Sequence, residues 1–103
     1  MSEKTNTGNT LESIAIVTTD KASRYLQQLC KHFGHKTEVT FDSTSGHIVF
    51  TGGDCRLAAD ETSLRLSVTA PDAETLERLQ DVAARHLERF AFREEMQITW
   101  QRA

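Results

Sequence analysis

Cys30, His32 and His35 fall within six residues of one another, and a thiolate beside imidazoles is a donor set that suits zinc or iron. Their spacing weighs against a shared ion. The segment has helical periodicity, on which positions 30 and 32 project about 200° apart, and Gly34 interrupts the helix before His35. Neither a CxxC nor an HExxH pattern is present. The plainer reading is that Cys30 packs as a small apolar residue while the two histidines meet the exposed carbonyls at the helix C-terminus. Cys30, His32 and His35 stand as the candidate metal set, and no bound metal or cofactor is expected.

His86 sits on the apolar stripe of a second helix, between Ala83 and Phe90, a position that could shift the pKa of a catalytic base. The commoner use of such a histidine is to donate one ring nitrogen to a polar neighbour. His47 opens a strand beside Gly46 and is expected to be exposed. Cys55 begins an alternating strand and is expected to be inert in the core. The Gly52, Gly53, Asp54 stretch lacks the Lys and Ser/Thr of a phosphate loop and reads as a turn. Arg78, Arg85, Arg89 and Arg93 each have an acid within helical reach, the pattern of a solvated face rather than an RNA-binding stripe. Phe90 and Phe92 cannot both face the core from a regular helix. Either one ring is exposed beside Arg89 and Arg93 as a contact site, or the helix unwinds at Ala91 and buries both. The candidate ligand or partner contacts are Tyr25, His32, His35, His86 and Phe92, and no catalytic residue is assigned.

The elements that would carry these side chains follow from periodicity. Residues 1–10 contain almost no apolar group and are expected to form a disordered tail ahead of a single domain over residues 11–103. Ser13 to Thr18 alternates as a strand, with Ile14 and Ile16 on one face and Ala15 and Val17 on the other. Thr19 or Asp20 then caps a helix whose apolar positions are Ala22, Tyr25, Leu26, Leu29 and Phe33, and Gly34 is expected to end it in a left-handed conformation. Val39 and Phe41, then Ile48 and Phe50, alternate on either side of a turn at residues 43–46, giving a hairpin. Cys55, Leu57 and Ala59, then Leu64, Leu66 and Val68, give a second hairpin. Asp72 caps the second helix, with Leu76, Leu79, Ala83, Leu87 and Phe90 on its apolar stripe. Met96, Ile98 and Trp100 alternate as a closing strand.

The order β-α-β-β-β-β-α-β predicts an α+β two-layer sandwich: an antiparallel sheet of about six strands with both helices on one face. The buried face is expected to hold Phe41, Phe50, Leu57, Leu66, Ile98 and Trp100. The other face carries Glu38, Thr40, Arg56, Arg65, Ser67, Thr69 and Gln97 and should be polar.

With 103 residues, 38% of them hydrophobic, and a net charge of −3, the chain suits one globular domain. The acidic balance argues against a nucleic-acid or anionic-membrane partner. Apolar runs fall far short of the roughly 20 residues of a membrane span, and the polar N-terminus lacks the apolar core of a secretory signal. The expected location is the cytoplasm, with Cys30 and Cys55 as free thiols.

Four blocks carry a family resemblance: Ala22 to Lys36 (ASRYLQQLCKHFGHK), Cys55 to Asp60 (CRLAAD), His86 to Glu95 (HLERFAFREE) and Ile98 to Ala103 (ITWQRA). In that order and at this length they resemble the bacterial domain-of-unknown-function family DUF 2218. The resemblance implies no catalytic residues. Related domains are fused to flavin-dependent siderophore-interacting reductases, which implies a peripheral role in iron handling and such a reductase as partner. The function expected is a non-enzymatic accessory or interaction domain, monomeric or homodimeric. The alternative is a small-molecule or metal binder whose pocket lies between the first helix and the sheet, lined by Tyr25, Cys30, His32 and His35.

Overall fold

β-Branched residues favour extended chain, and in the computed structural model, which describes residues 10–103, Leu11–Thr18 form strand β1. Helix α1 (Ala22–Phe33) follows, then β2 (Val39–Phe41), β3 (Ser45–Phe50), β4 (Gly53–Ala59) and β5 (Ser63–Ala70). Helix α2 (Ala73–Phe90) and the short β6 (Gln101–Arg102) complete the chain. The tail expected over residues 1–10 lies, apart from Thr10, outside the described residues.

All strands pair antiparallel in one open sheet of order β2-β3-β4-β5-β1-β6. The two helices cover one face, as the sequence pattern requires. The core joins Leu26, Leu29 and Cys30 of α1 and Leu76, Leu79 and Leu87 of α2 to Ile48, Cys55, Leu57, Leu64, Leu66 and Val68 of the sheet. Cys30 and Cys55 are free and buried. No helix among the described residues is long and apolar enough to cross a membrane.

β1 offers two apolar faces, and its pairing chooses between them. Ala15 and Val17 oppose Leu66 and Leu64 on the buried side. The larger Ile14 and Ile16 are therefore turned to the uncovered face. Phe41 lies opposite Gly46 on the helix side of the sheet, yet, against the expectation of burial, it is 40% exposed, because β2 is a short strand at the edge of the sheet. Phe50 is half-buried against Phe33, their ring centroids 5.1 Å apart. Ile98 and Trp100 pack against the core as expected, but without a ladder; only Gln101 and Arg102 pair with β1.

The helix caps divide. Asp72 caps α2 through Thr75 N–H at 2.7 Å. At α1 neither Thr19 nor Asp20 takes that place: Lys21 is the N-cap residue, and Thr19 Oγ1 accepts from its N–H at 3.1 Å. Gly34 is right-handed, with φ −63°, and its N–H donates to Cys30 O at 2.9 Å. The expected left-handed cap is absent because the chain continues as a tight turn, in which Lys36 and Thr37 both donate to Phe33 O.

The hairpin turns use one device twice. Asp42 Oδ1 accepts from the N–H groups of Thr44 and Ser45, both at 2.9 Å, and Asp60 Oδ1 from those of Thr62 and Ser63, at 2.9 and 2.8 Å. These amides hold both carboxyls below their ordinary pKa. The Asp-X-Thr-Ser sequence at 42–45 and 60–63 was the available signal. The turn expected at residues 43–46 accordingly closes sooner, and Ser45 already belongs to β3.

Candidate functional site

Tyr25 lies on the buried stripe of α1, where three- and four-residue spacing puts it beside Leu26 and Leu29. Its hydroxyl donates to Glu94 Oε2 in the loop that follows α2. Thr19 Oγ1 donates to the same carboxylate, 3.1 and 3.2 Å from its two oxygens. Burial, followed by the hydrogen bond and charge of Glu94, pushes the Tyr25 phenol up to about 12. It therefore stays protonated at neutral pH and acts as a hydrogen-bond donor rather than a base. Glu94 went unnoticed in the sequence because its partners lie 69 and 75 residues away.

This carboxylate fixes the path of the chain where α2 ends. The helix stops at Phe90, and the Ala91 N–H donates to Leu87 O at 2.9 Å. Phe90 stays half-buried while Phe92 is 75% exposed, which decides between the alternatives left open above. The Arg93 guanidinium lies 5.4 Å from the centre of the Phe92 ring. Together Lys21, Arg24, Tyr25, Phe90, Phe92 and Arg93 border a shallow cleft of about 290 Å³ next to Glu94. Lys21, Arg24 and Arg93 thus share one cleft with the exposed ring and with Glu94, and Lys21 also lies 3.7 Å from Asp20 Oδ1.

The candidate histidines separate. His32 and His86 meet between the helices with ring centroids 4.9 Å apart and planes tilted by 42°, whereas His35 is exposed beyond the end of α1. Cys30 turns toward the sheet, against Gly46; a Cβ on that glycine would lie 2.7 Å from the Cys30 sulfur. Burial pushes the Cys30 thiol up to about 11. Among the described residues no group of three or more His, Cys, Asp or Glu is placed to hold a metal ion. The space between α1 and the sheet is occupied by core side chains, so Tyr25, Cys30, His32 and His35 do not line one pocket.

His86 Nδ1 donates to Val82 O at 2.7 Å, the bond expected of a histidine on a helix stripe. His32 Nε2 is buried without a partner. Burial first, and then the positive charge that His86, Lys36, Arg89 and His35 present, lowers the His32 pKa from its ordinary 6.5. Just below that pH the folded chain binds fewer protons than the unfolded one. The stability His32 allows is complete above about pH 6.5 and is lost as pH falls toward the depressed folded value. Urea midpoints should therefore drop between about pH 7 and pH 5, and His32→Phe should flatten that interval. An unchanged slope in the variant would trace the loss to other groups. Asp42, Asp60 and Asp72, lowered from 3.8, act only in a separate, more acidic window.

One pair was missed outright. His47, expected to be exposed, is half-buried on the uncovered face, with Nε2 2.6 Å from Asp54 Oδ2. The hairpin register, His47 opposite Arg56 and Val49 opposite Asp54, makes them diagonal neighbours.

The pattern of a bacterial family described as "uncharacterized protein conserved in bacteria" (DUF2218) matches residues 14–101. The chain belongs to this family. The NMR structure of PA4090 from Pseudomonas aeruginosa is similar at 38% identity and a TM-score of 0.76, covering 88% of this chain and 95% of that one. No curated protein matches the chain. The DUF2218 match runs from β1 into β6 and contains Tyr25, His32, His47, His86, Phe92 and Glu94.

Proposed function

We propose that the chain is a cytoplasmic, non-enzymatic interaction domain whose docking surface is the Phe92 cleft. The carrying observation is the 75% exposure of Phe92 beside Lys21, Arg24 and Arg93. Water gains nothing from a phenyl ring held in the open. The Tyr25–Glu94–Thr19 bonds brace the loop that presents it, so little ordering entropy is left to lose on docking. Aromatic residues and arginine are the side chains enriched where binding energy concentrates. The cationic rim selects a partner with an acidic surface.

The partner class is a flavin-dependent siderophore-interacting reductase, which places the domain near iron metabolism; that assignment rests on family association. Titration calorimetry of the chain against such a reductase tests the reading. Phe92→Ser with Arg93→Gln should weaken binding at least about tenfold, and added salt should weaken the wild-type complex. Both positions are exposed, so the fold should survive, as a circular dichroism spectrum would record. No association, or equal affinity for the double variant, sinks the proposal.

A further inference from the structure

The face of the sheet opposite the helices has no covering layer, and strand pairing sets its outward residues in rows. Arg65 and Ile16 stand side by side in the first row, and Arg56, Ser67 and Ile14 make the second. The third joins Asp54 to Glu12 through Thr69. Over β4, β5 and β1 the face is therefore basic toward one end of the strands and acidic toward the other. Neither Arg56 nor Arg65 makes an ion pair among the described residues. Asp54 meets His47 through Oδ2, and Glu12 accepts from Ser67 through Oε2, which leaves the second oxygen of each carboxylate for a further cation. Ile16 is 63% exposed on the same face.

We propose that this face is the contact between two copies of the chain, packed sheet on sheet about a two-fold axis that runs across the strands. Packed sheets keep their strands within about 30° of each other, so two identical faces meet about an axis that runs either along the strands or across them. An axis along the strands would set the acidic row of one copy on the acidic row of the other. An axis across them reverses one copy, and Arg65 of each then stands over the Asp54–Glu12 row of the other. The symmetry makes every such pair twice. Ile14 and Ile16 leave water at the same contact. From β3 to β6 the face spans five strands, and β1 and β5 are eight residues long, which gives roughly 600 Å² in projection. Upright side chains raise the accessible area above that figure, into the range of specific interfaces, roughly 500–800 Å² per partner. The partly charged surface makes the dimer reversible and weaker than an obligate one, whose contact is more apolar. At the low micromolar concentrations of an unfolding experiment the chain is monomeric. The Phe92 cleft lies on the helix side, so the dimer leaves it open, and the inference does not depend on the docking reading.

The test is sedimentation of the full chain from low micromolar to millimolar concentration, with nitrogen-15 NMR spectra along the same series. The mass should rise from one chain toward two, less steeply in added salt, and the amides of Ile14, Ile16, Arg65 and Ser67 should shift with concentration. Two charge-reversed proteins then separate this contact from a general stickiness: Arg56→Glu with Arg65→Glu, whose face is acidic throughout, and Glu12→Lys with Asp54→Lys, whose face is basic. Each should self-associate at least about tenfold more weakly than the wild type, while their mixture should form a one-to-one heterodimer. Circular dichroism at low concentration checks that both fold, and the wild-type series needs no variant. A wild-type chain that stays monomeric at millimolar concentration overturns the proposal and leaves the face to another kind of partner. Undiminished dimers of both reversed proteins, no heterodimer in the mixture, or shifts confined to β2 or to residues near Phe92 overturn it as well.

Discussion

Leu66→Ala should destabilise the domain by about 2–5 kcal/mol, seen as a large fall in the urea midpoint with little change in slope. Leu66 is fully buried on β5. It stands opposite Leu57 on β4 and Ala15 on β1, so the backbone on both sides is held by ladder hydrogen bonds and cannot close over the vacated volume. The transfer loss and the cavity loss then add. The adjacent residue supplies the control: Arg65 points to the uncovered face, and Arg65→Ala should change stability by less than about 0.5 kcal/mol. Similar losses at the two positions would mean that β5 has the opposite face to the helices. In a domain of this length 1 kcal/mol moves the melting temperature by roughly 4–8 °C, so the difference is readable by heat as well.

A single added methyl at Gly53 should have an effect of the same order. Gly53 begins β4 directly after the Thr51–Gly52 turn, where Gly52 has the left-handed φ of 93°. A Cβ at position 53 would lie 2.2 Å from the Thr69 carbonyl oxygen and 2.7 Å from Leu79 Cδ1. The first contact is with strand backbone and cannot be relieved by a rotamer change. The β4–β5 ladder or the seat of α2 has to shift, and overpacking of this kind costs about 1–3 kcal/mol or more. Gly53→Ala should therefore lower the thermal midpoint clearly, and Gly53→Val should lower it further. A neutral Gly53→Ala would show that the Thr69 carbonyl and Leu79 lie farther from position 53 than 2.2 and 2.7 Å.

The order of elements and the architecture were legible in the chain because each segment repeats its apolar residues at one period. Positions 22, 25, 26, 29 and 33 can share a face only on a helix, and 64, 66 and 68 only on a strand. The Asp72 cap was equally local, since a carboxylate and the amide three residues on need no other part of the molecule. The repeated Asp-X-Thr-Ser turns carried the same kind of short-range signal and went unread. The closing segment marks where this logic stops. Alternation at Met96, Ile98 and Trp100 reports that alternate side chains touch the core, and it does not report whether the backbone finds a partner; only Gln101 and Arg102 do.

Tertiary structure decided everything that depends on which element lies against which. Both faces of β1 are apolar in sequence, and only pairing with Leu64 and Leu66 turned Ala15 and Val17 inward and left Ile14 and Ile16 outside. The Cys30, His32 and His35 cluster, close in sequence, was dispersed because one side chain faces the sheet, one faces α2 and one lies beyond the helix. Tyr25, Thr19 and Glu94, far apart in sequence, were brought to one carboxylate when the end of α2 packed beside the start of α1. Periodicity is a property of one segment and fixes which side chains can share a face. The identity of the neighbour is a property of two segments, set by packing complementarity between surfaces that no single stretch of the chain contains.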